Sequence, residues 1–190
     1  TAVLLMLQRE RKISFQDLMV NYFDENTINE LHVYKGVDYT NTITIEHLLS
    51  NQTGLPDYFY YESVKGDPVG HLKQMDTAWT IRDVLQRVKT QKPKFRPGET
   101  GKVNYSDTNY QILGAIIEKV TNMWIGDAFD YYIFKPLHLY DTFAFVETSK
   151  EEIAPLLHKK DQFFAPKYMA SITAEGGIVS TAKDCMTFLK

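Results

Sequence analysis

The sequence predicts a mainly α-helical chain, and three observations carry that expectation. Apolar residues recur at three- and four-residue spacing wherever a clear period exists, Ser, Thr or Asp stands at the start of those segments, and Gly and Pro punctuate the stretches between them. Helices are expected over residues 1–11, 15–22, 44–51, 80–90, 108–121 and 181–190. At 190 residues with 44% hydrophobic content, the chain suits one domain or most of one, and it has the aromatics to build a core.

The first helix follows from the run Ala2-Val3-Leu4-Leu5-Met6-Leu7-Gln8, which has no capping residue before it and no polar face until Gln8. It reads as a helix cut from a longer one. It is too short to cross a membrane, and neither a basic region nor a cleavage site flanks it, so no membrane segment or signal peptide is expected. Asp184 to Lys190 is likewise helical in pattern without a stop signal, so residues 1–190 are expected to be the middle of a larger protein, truncated at both ends.

Ser14 and Asp17 have capping-box spacing ahead of Phe15, Leu18, Met19 and Tyr22, which predicts the second helix. Residues 21–41 lack a period and read as a connecting loop. Thr44 caps the third helix, with Ile43 and Leu48 at staple positions and Gly54 and Pro56 ending it. Tyr58 to Ala78 is rich in Tyr, Gly and charge without a period, and reads as a long excursion around the mouth of a site, where it would set substrate preference. Thr80 and Asp83 cap a helix whose stripe is Ile81, Val84, Leu85 and Val88, with Trp79 stapled to Val84. Trp124 to Phe134 is compatible with another packed helix, ended by Pro136.

The stretch from Lys94 to Asn122 is the most informative. Pro97, Gly98 and Gly101 interrupt regular structure, and Ile112, Leu113, Ile116, Ile117 and Val120 then mark one buried helical face, with Thr108 and Gln111 at capping-box spacing. Tyr105-Ser106-Asp107 is therefore held on a short loop between a rigid turn and a rigid helix, a good mount for chemistry. Two readings stay open at this point. Ser106 and Asp107 are placed to cap free amides while Tyr105 packs, or the three polar groups face a site.

Composition removes several function classes. A net charge of −3 and no sustained Lys/Arg run argue against nucleic acid. Cys185 stands alone, which excludes an internal disulfide and a multi-cysteine zinc site. His47 has no second ligand one turn on, and the other histidines are isolated, so no metal and no cofactor is expected.

Phe95, Pro97-Gly98-Glu99, Tyr105-Ser106-Asp107 and Asn109 to Glu118 together resemble a signature region of the serine beta-lactamase-related family, which includes class C beta-lactamases, D-alanyl-D-alanine carboxypeptidases, penicillin-binding proteins and related esterases. Ile43 to Ser50 with Thr53-Gly54-Leu55-Pro56 resembles the family's helix and Gly-Leu-Pro turn; Asn51 and Gln52 replace the usual His-Thr, a departure read as tolerated loop variation. Leu137 to Thr142 is similar to its Pro-Leu-Gly-Met-x-x-Thr turn, with His138 in place of the glycine. Ala174 to Asp184 resembles its Gly-Gly, Ser-Thr, Asp pattern, and there Ser180 and Lys183 match Ser-x-x-Lys by spacing. The family order places the nucleophile before the tyrosine motif, so Ser180 is read as structural.

The resemblance implies the helical part of the α/β beta-lactamase/transpeptidase-like fold, with most of the antiparallel sheet outside this chain. It implies a serine hydrolase acting through an acyl-enzyme on an amide or ester, with a small-molecule or peptidoglycan-type substrate and a cell-envelope setting. Tyr105 would be catalytic, carrying protons to and from a nucleophile that lies with its lysine before Thr1, and Ser106 and Asp107 would bind substrate. The Lys/His-Thr/Ser-Gly strand would lie beyond Lys190, so the isolated chain is expected to be inert. Asp107 departs from the family's Asn, since a carboxylate only accepts hydrogen bonds and opposes ionisation of a neighbouring phenol. The competing class is a binding module that keeps the fold without the chemistry.

Overall fold

The helical period locates most helices, and local turn chemistry decides where they stop. In a computed structural model, which describes residues 1–60, 67, 69, 72, 76–148 and 153–190, α1 spans Ala2–Arg9 and buries Val3, Leu4 and Leu7. A short α2 follows at Glu25–Ile28. Helix α3, Ile45–Leu49, opens on a complete capping box, in which Thr44 accepts from the His47 amide and the His47 ring accepts from the Thr44 amide. Helix α4, Ile81–Lys89, opens on the same device built from Thr80 and Asp83. The longest helix, α5, runs Asp107–Thr121 and ends where Asn122 turns left-handed at φ 54°. Helix α6, Ile125–Phe129, continues into a π-helical turn over Asp130–Phe134, and α7, Pro166–Ser171, and α8, Ala182–Phe188, complete the set. Much of the expected excursion between Tyr58 and Ala78 falls on residues outside those described.

The expectation of a mainly α-helical chain does not hold. Short antiparallel pairs join the helices: β1 (Val33–Tyr34) with β2 (Val37–Asp38), β4 (Leu156–His158) with β5 (Asp161–Phe163), and β3 (Phe143–Ala144) with β6 (Ile178–Val179), the last closing over a long sequence separation. Strands of two or three residues carry no alternation to read, which is why the periodicity argument passed over them. The predicted helix over 15–22 also fails. Only Met19–Tyr22 is helical, as a single 3-10 turn, because the chain before it pairs with the segment entering α3. Met19 N donates to Ile43 O (2.8 Å), and Ile45 N and Glu46 N donate to Asp17 O and Phe15 O (3.1 and 2.9 Å). Helix α8 opens on half a capping box: Asp184 N donates to Thr181 Oγ1, but the Asp184 carboxylate turns away to take Asp141 N and Thr142 Oγ1, at 2.9 and 2.8 Å.

Helix α5 is the centre of the packing. Ile112, Leu113, Ile116 and Ile117 are buried on its inner face, against α3 and α4 on one side and α6 on the other. Burial of each such side chain contributes ~1.5–3 kcal/mol, so the start of α5, where Tyr105-Ser106-Asp107 enters, rests on the best-packed part of the molecule. Among the described residues, no helix is long and apolar enough to cross a membrane.

Candidate active site

Two loops, residues 51–58 leaving α3 and residues 104–109 entering α5, are stitched together along a polar seam. Asn51, itself left-handed at φ 56°, works in both directions: its carbonyl accepts from Asn104 N (2.9 Å), and its side-chain Oδ1 accepts from Asn109 Nδ2 (2.8 Å) and Ser106 N (3.3 Å). Thr53 Oγ1 donates to Asn109 Oδ1 at 2.7 Å, and Asn104 Nδ2 donates to Leu55 O at 3.0 Å. Pro56 O receives two hydroxyls, Ser106 Oγ at 3.0 Å and Thr108 Oγ1 at 2.8 Å, and Thr108 Oγ1 in turn accepts from Tyr58 N at 3.0 Å. Asn109, Thr53, Ser106 and Thr108 are buried, so each of these bonds satisfies a group that would otherwise be costly to leave unpaired.

The seam changes the roles expected of the tripeptide. Ser106 is the N-cap residue of α5 by backbone position, yet its side chain makes no capping bond; it is fully buried and holds Pro56. Its hydroxyl is engaged with the fold beneath the loop. Asp107 is the first helical residue, and its side chain does not cap either. The cap comes from a distant residue, Asp57, whose Oδ2 accepts from Asp107 N (3.0 Å) while Oδ1 accepts from Phe59 N (2.9 Å). Thr108 and Gln111 form no box, because Thr108 is given to Pro56 and Gln111 Nε2 donates to Ser171 O at 3.2 Å.

Freed from capping, Asp107 pairs with Tyr105. The Tyr105 ring is 67% exposed, and its hydroxyl donates to Asp107 Oδ1 at 2.8 Å. That hydrogen bond first, then burial and the negative charges of Asp107, Glu175 and Asp57, push the phenol up to about 12. Asp107 is itself raised, chiefly by burial and further by Asp57, against the opposing effect of the tyrosine hydroxyl. Behind this pair, fully buried Tyr58 donates its hydroxyl to Glu175 Oε1 at 2.6 Å.

The remaining sequence candidates are placed elsewhere. Ser180 shares a hydrogen bond with Thr142 Oγ1 (2.8 Å), and Cys185 Sγ approaches it at 3.5 Å, in the group of side chains around Asp184. His47 is a packing residue, its ring nitrogen taking the Thr44 amide, and burial lowers its pKa. Three residues that matter to the site were not singled out from the sequence: Asn51, set aside as loop variation, and Asp57 and Glu175. Asn51 carried a readable signal, since Asn tolerates the left-handed conformation that the end of α3 needs; the other two are brought in only by tertiary contact.

The beta-lactamase family model matches residues 1–190. The chain belongs to the beta-lactamase family. A curated relative, the unguisins hydrolase ungD' of Aspergillus campestris, is 29% identical over 153 residues, which is 76% of this chain and 27% of that protein. Among solved structures, a D-stereospecific amidohydrolase from a Streptomyces species superposes with a TM-score of 0.72 at 27% identity over 99% of this chain and 56% of its own. The D-amino acid amidase of Ochrobactrum anthropi SV3 gives 0.72 at 21% identity over 99% of this chain and 51% of its own, a likeness of fold. The chain thus spans about half the length of these solved relatives and about a quarter of the curated one. This alignment over nearly every residue completes the correction made above: the chain is a stretch of the beta-lactamase fold with its short strands included, rather than a dominantly helical piece separated from the sheet. By their names these relatives are a hydrolase, an amidohydrolase and an amidase.

For this member of the beta-lactamase family, the geometry turns Asp107 into a testable position. Asp107→Asn removes the charge that opposes the phenolate but leaves the Asp57 cap in place. The Tyr105 pKa is expected to fall from about 12 towards its ordinary value, with stability lowered by no more than the ~0.3–1 kcal/mol of a carboxylate at a helix N-terminus. Ultraviolet or NMR titration of the tyrosine, with parallel urea unfolding, reads both, and an unmoved tyrosine would show that the 2.8 Å contact does not govern it.

Proposed function

We propose that the chain is the tyrosine-bearing part of a serine hydrolase that acts through an acyl-enzyme on amide or ester bonds, with Tyr105 carrying protons to and from the nucleophile. The observation that carries this reading is an exposed phenol held at 2.8 Å by Asp107 on a loop that the seam to residues 51–58 makes rigid. A general acid–base group must be accessible to the reacting atoms and fixed in direction, and Tyr105 meets both conditions. The name of the Streptomyces relative, a D-stereospecific amidohydrolase, favours amides over esters as the natural bond. Peptidoglycan-type peptides, beta-lactams and esters belong to the same chemical class.

Asp107 favours a second reading. A carboxylate that raises its tyrosine to about 12 makes a poor setting for a phenolate base unless a cation offsets it, which suits a binding module that has kept the fold. In the catalytic reading, the family's lysine supplies that cation. Nucleophile, lysine and tyrosine act as a unit, and loss of one member removes most of the rate. Purified residues 1–190 are therefore expected neither to be labelled stoichiometrically by a fluorescent penicillin nor to turn over a p-nitrophenyl ester. Turnover by this chain that disappears in Ser180→Ala would overturn that expectation and move the nucleophile to Ser180. A longer protein containing the chain that binds substrate amides without hydrolysing them would establish the binding module instead.

A further inference from the structure

We propose that Glu175 is a positioning residue for Tyr105: anchored to Tyr58 behind the seam, it decides whether two or three negative charges act on the Tyr105 phenol. The inference rests on the reading of Tyr105 as the proton carrier.

Glu175 sits on the turn between α7 and β6, where the amides of Glu175, Gly176 and Gly177 all converge on Ile172 O at 3.0, 2.8 and 3.0 Å. That turn fixes the direction of the side chain. Oε1 takes the buried Tyr58 hydroxyl at 2.6 Å, and Oε2 is enclosed with no hydrogen-bond partner. A carboxylate with one oxygen left unsolvated is costly to ionise, so the surroundings favour the neutral acid.

The groups around it reinforce this. It is bonded to Tyr58 of the loop 51–58, whose neighbour Asp57 holds the Asp107 amide; Asp57 and Asp107 act on it through their charges, and it acts in turn on Tyr105 and on Tyr168 of α7. Tyr110 and Asp184 line the cavity of about 540 Å³ on its other side. The full charges acting on Glu175 are those of Asp107 and Asp57, both of its own sign. Burial, then these two charges, push it up to about 8, against the Tyr58 hydrogen bond, which favours ionisation. Glu175 is thus expected to change charge at about pH 8. Its ionised form adds a third like charge and disfavours the Tyr105 phenolate; its protonated form removes that opposition.

The test begins on residues 1–190, where no activity is needed. With ¹³C-labelled glutamate and tyrosine, the Glu175 carboxyl is expected to titrate with a midpoint of about 8, and the Tyr105 Cζ shift to step at the same pH. Glu175→Gln should abolish the step, and Tyr58→Phe, which removes a donor to the carboxylate, should move it upward. A Tyr105 step that persists in Glu175→Gln, or a Glu175 midpoint in the ordinary carboxylate range, would overturn the proposal. If Glu175→Gln fails to fold, the upward shift in Tyr58→Phe decides the matter on its own, and an unmoved step there counts against it. In the active protein that carries this chain, Glu175→Gln should move the basic limb of kcat/KM upward with little change in KM. A uniform loss at every pH would mark Glu175 as merely structural. Coupling in the chain without hydrolysis by the longer protein supports the charge-setting role while removing the proposed function.

Discussion

Tyr105→Phe in the active protein that carries this chain is expected to lower kcat/KM by about 10²–10⁴-fold, the range over which a positioned proton-transfer group contributes. The loss should fall on kcat, because the hydroxyl acts on protons in flight and the ring that remains still lines the site. Folding should be little affected. Tyr105 is 67% exposed, and among the described residues its hydroxyl bonds to Asp107 at the start of α5, so the seam beneath it does not depend on the phenol. Steady-state kinetics paired with a melting curve separates the two effects. A variant within threefold of the native rate would remove Tyr105 from the chemistry, and one that melts early would mean that the loop needs the phenol for its shape.

The largest effect on stability is expected at Gly54. Its φ of +73° is a conformation that side chains disfavour by ~1–2 kcal/mol, and a Cβ there would stand 2.4 Å from Phe95 O. Relieving that overlap means moving the backbone at Phe95 or the Gly54 turn, a strain of ~1–3 kcal/mol in a packed site. Gly54→Ala is therefore expected to cost about 2–5 kcal/mol, read as a shift in urea midpoint. Gly101 is the control, with φ +75° but nothing within 4 Å of its Cβ position, so Gly101→Ala should cost only the conformational part. Equal costs at the two positions would show that the approach of Phe95 is not what makes Gly54 necessary. Because Gly54 O also accepts from Lys94 N at 2.9 Å, the displacement would reach the turn that leads to Tyr105, and activity should fall with stability.

Helix existence was legible where one turn of sequence holds the whole signal. Thr44 with His47 and Thr80 with Asp83 are three residues apart, and both boxes form. The signal failed where a distant segment outbid the local one. Ser14 and Asp17 have the same spacing, and Ser14 N does donate to Asp17 Oδ2 at 2.8 Å, yet the chain makes only a turn over residues 15–16 and a bridge at Leu18, because residues 43–46 take its backbone groups. The two-residue strands had no period to show. At the site, the resemblance located Tyr105 and Asp107, and spacing alone assigned Ser106 and Asp107 as caps. Neither argument could supply Asp57, which reaches the tripeptide across 50 residues, or Glu175, which reaches Tyr58 from the α7–β6 turn. Asn51 shows the reverse error: a departure from the family's residue, dismissed as variation in a loop, holds two amides of the opposite segment.

The seam also divides the labour of the chain between its two banks. Because Asn51, Pro56 and Asp57 are bound directly to Ser106, Asp107, Thr108 and Asn109, the residues that run from one bank to the other form a closed loop whose ends are held independently of its middle. Doubling the length of such a loop costs only ~0.6 kcal/mol of closure entropy, comparable to a single hydrogen bond of the seam at ~0.5–1.5 kcal/mol. Tyr105 thus keeps its register through the seam itself, whatever the length of chain that runs between the two banks.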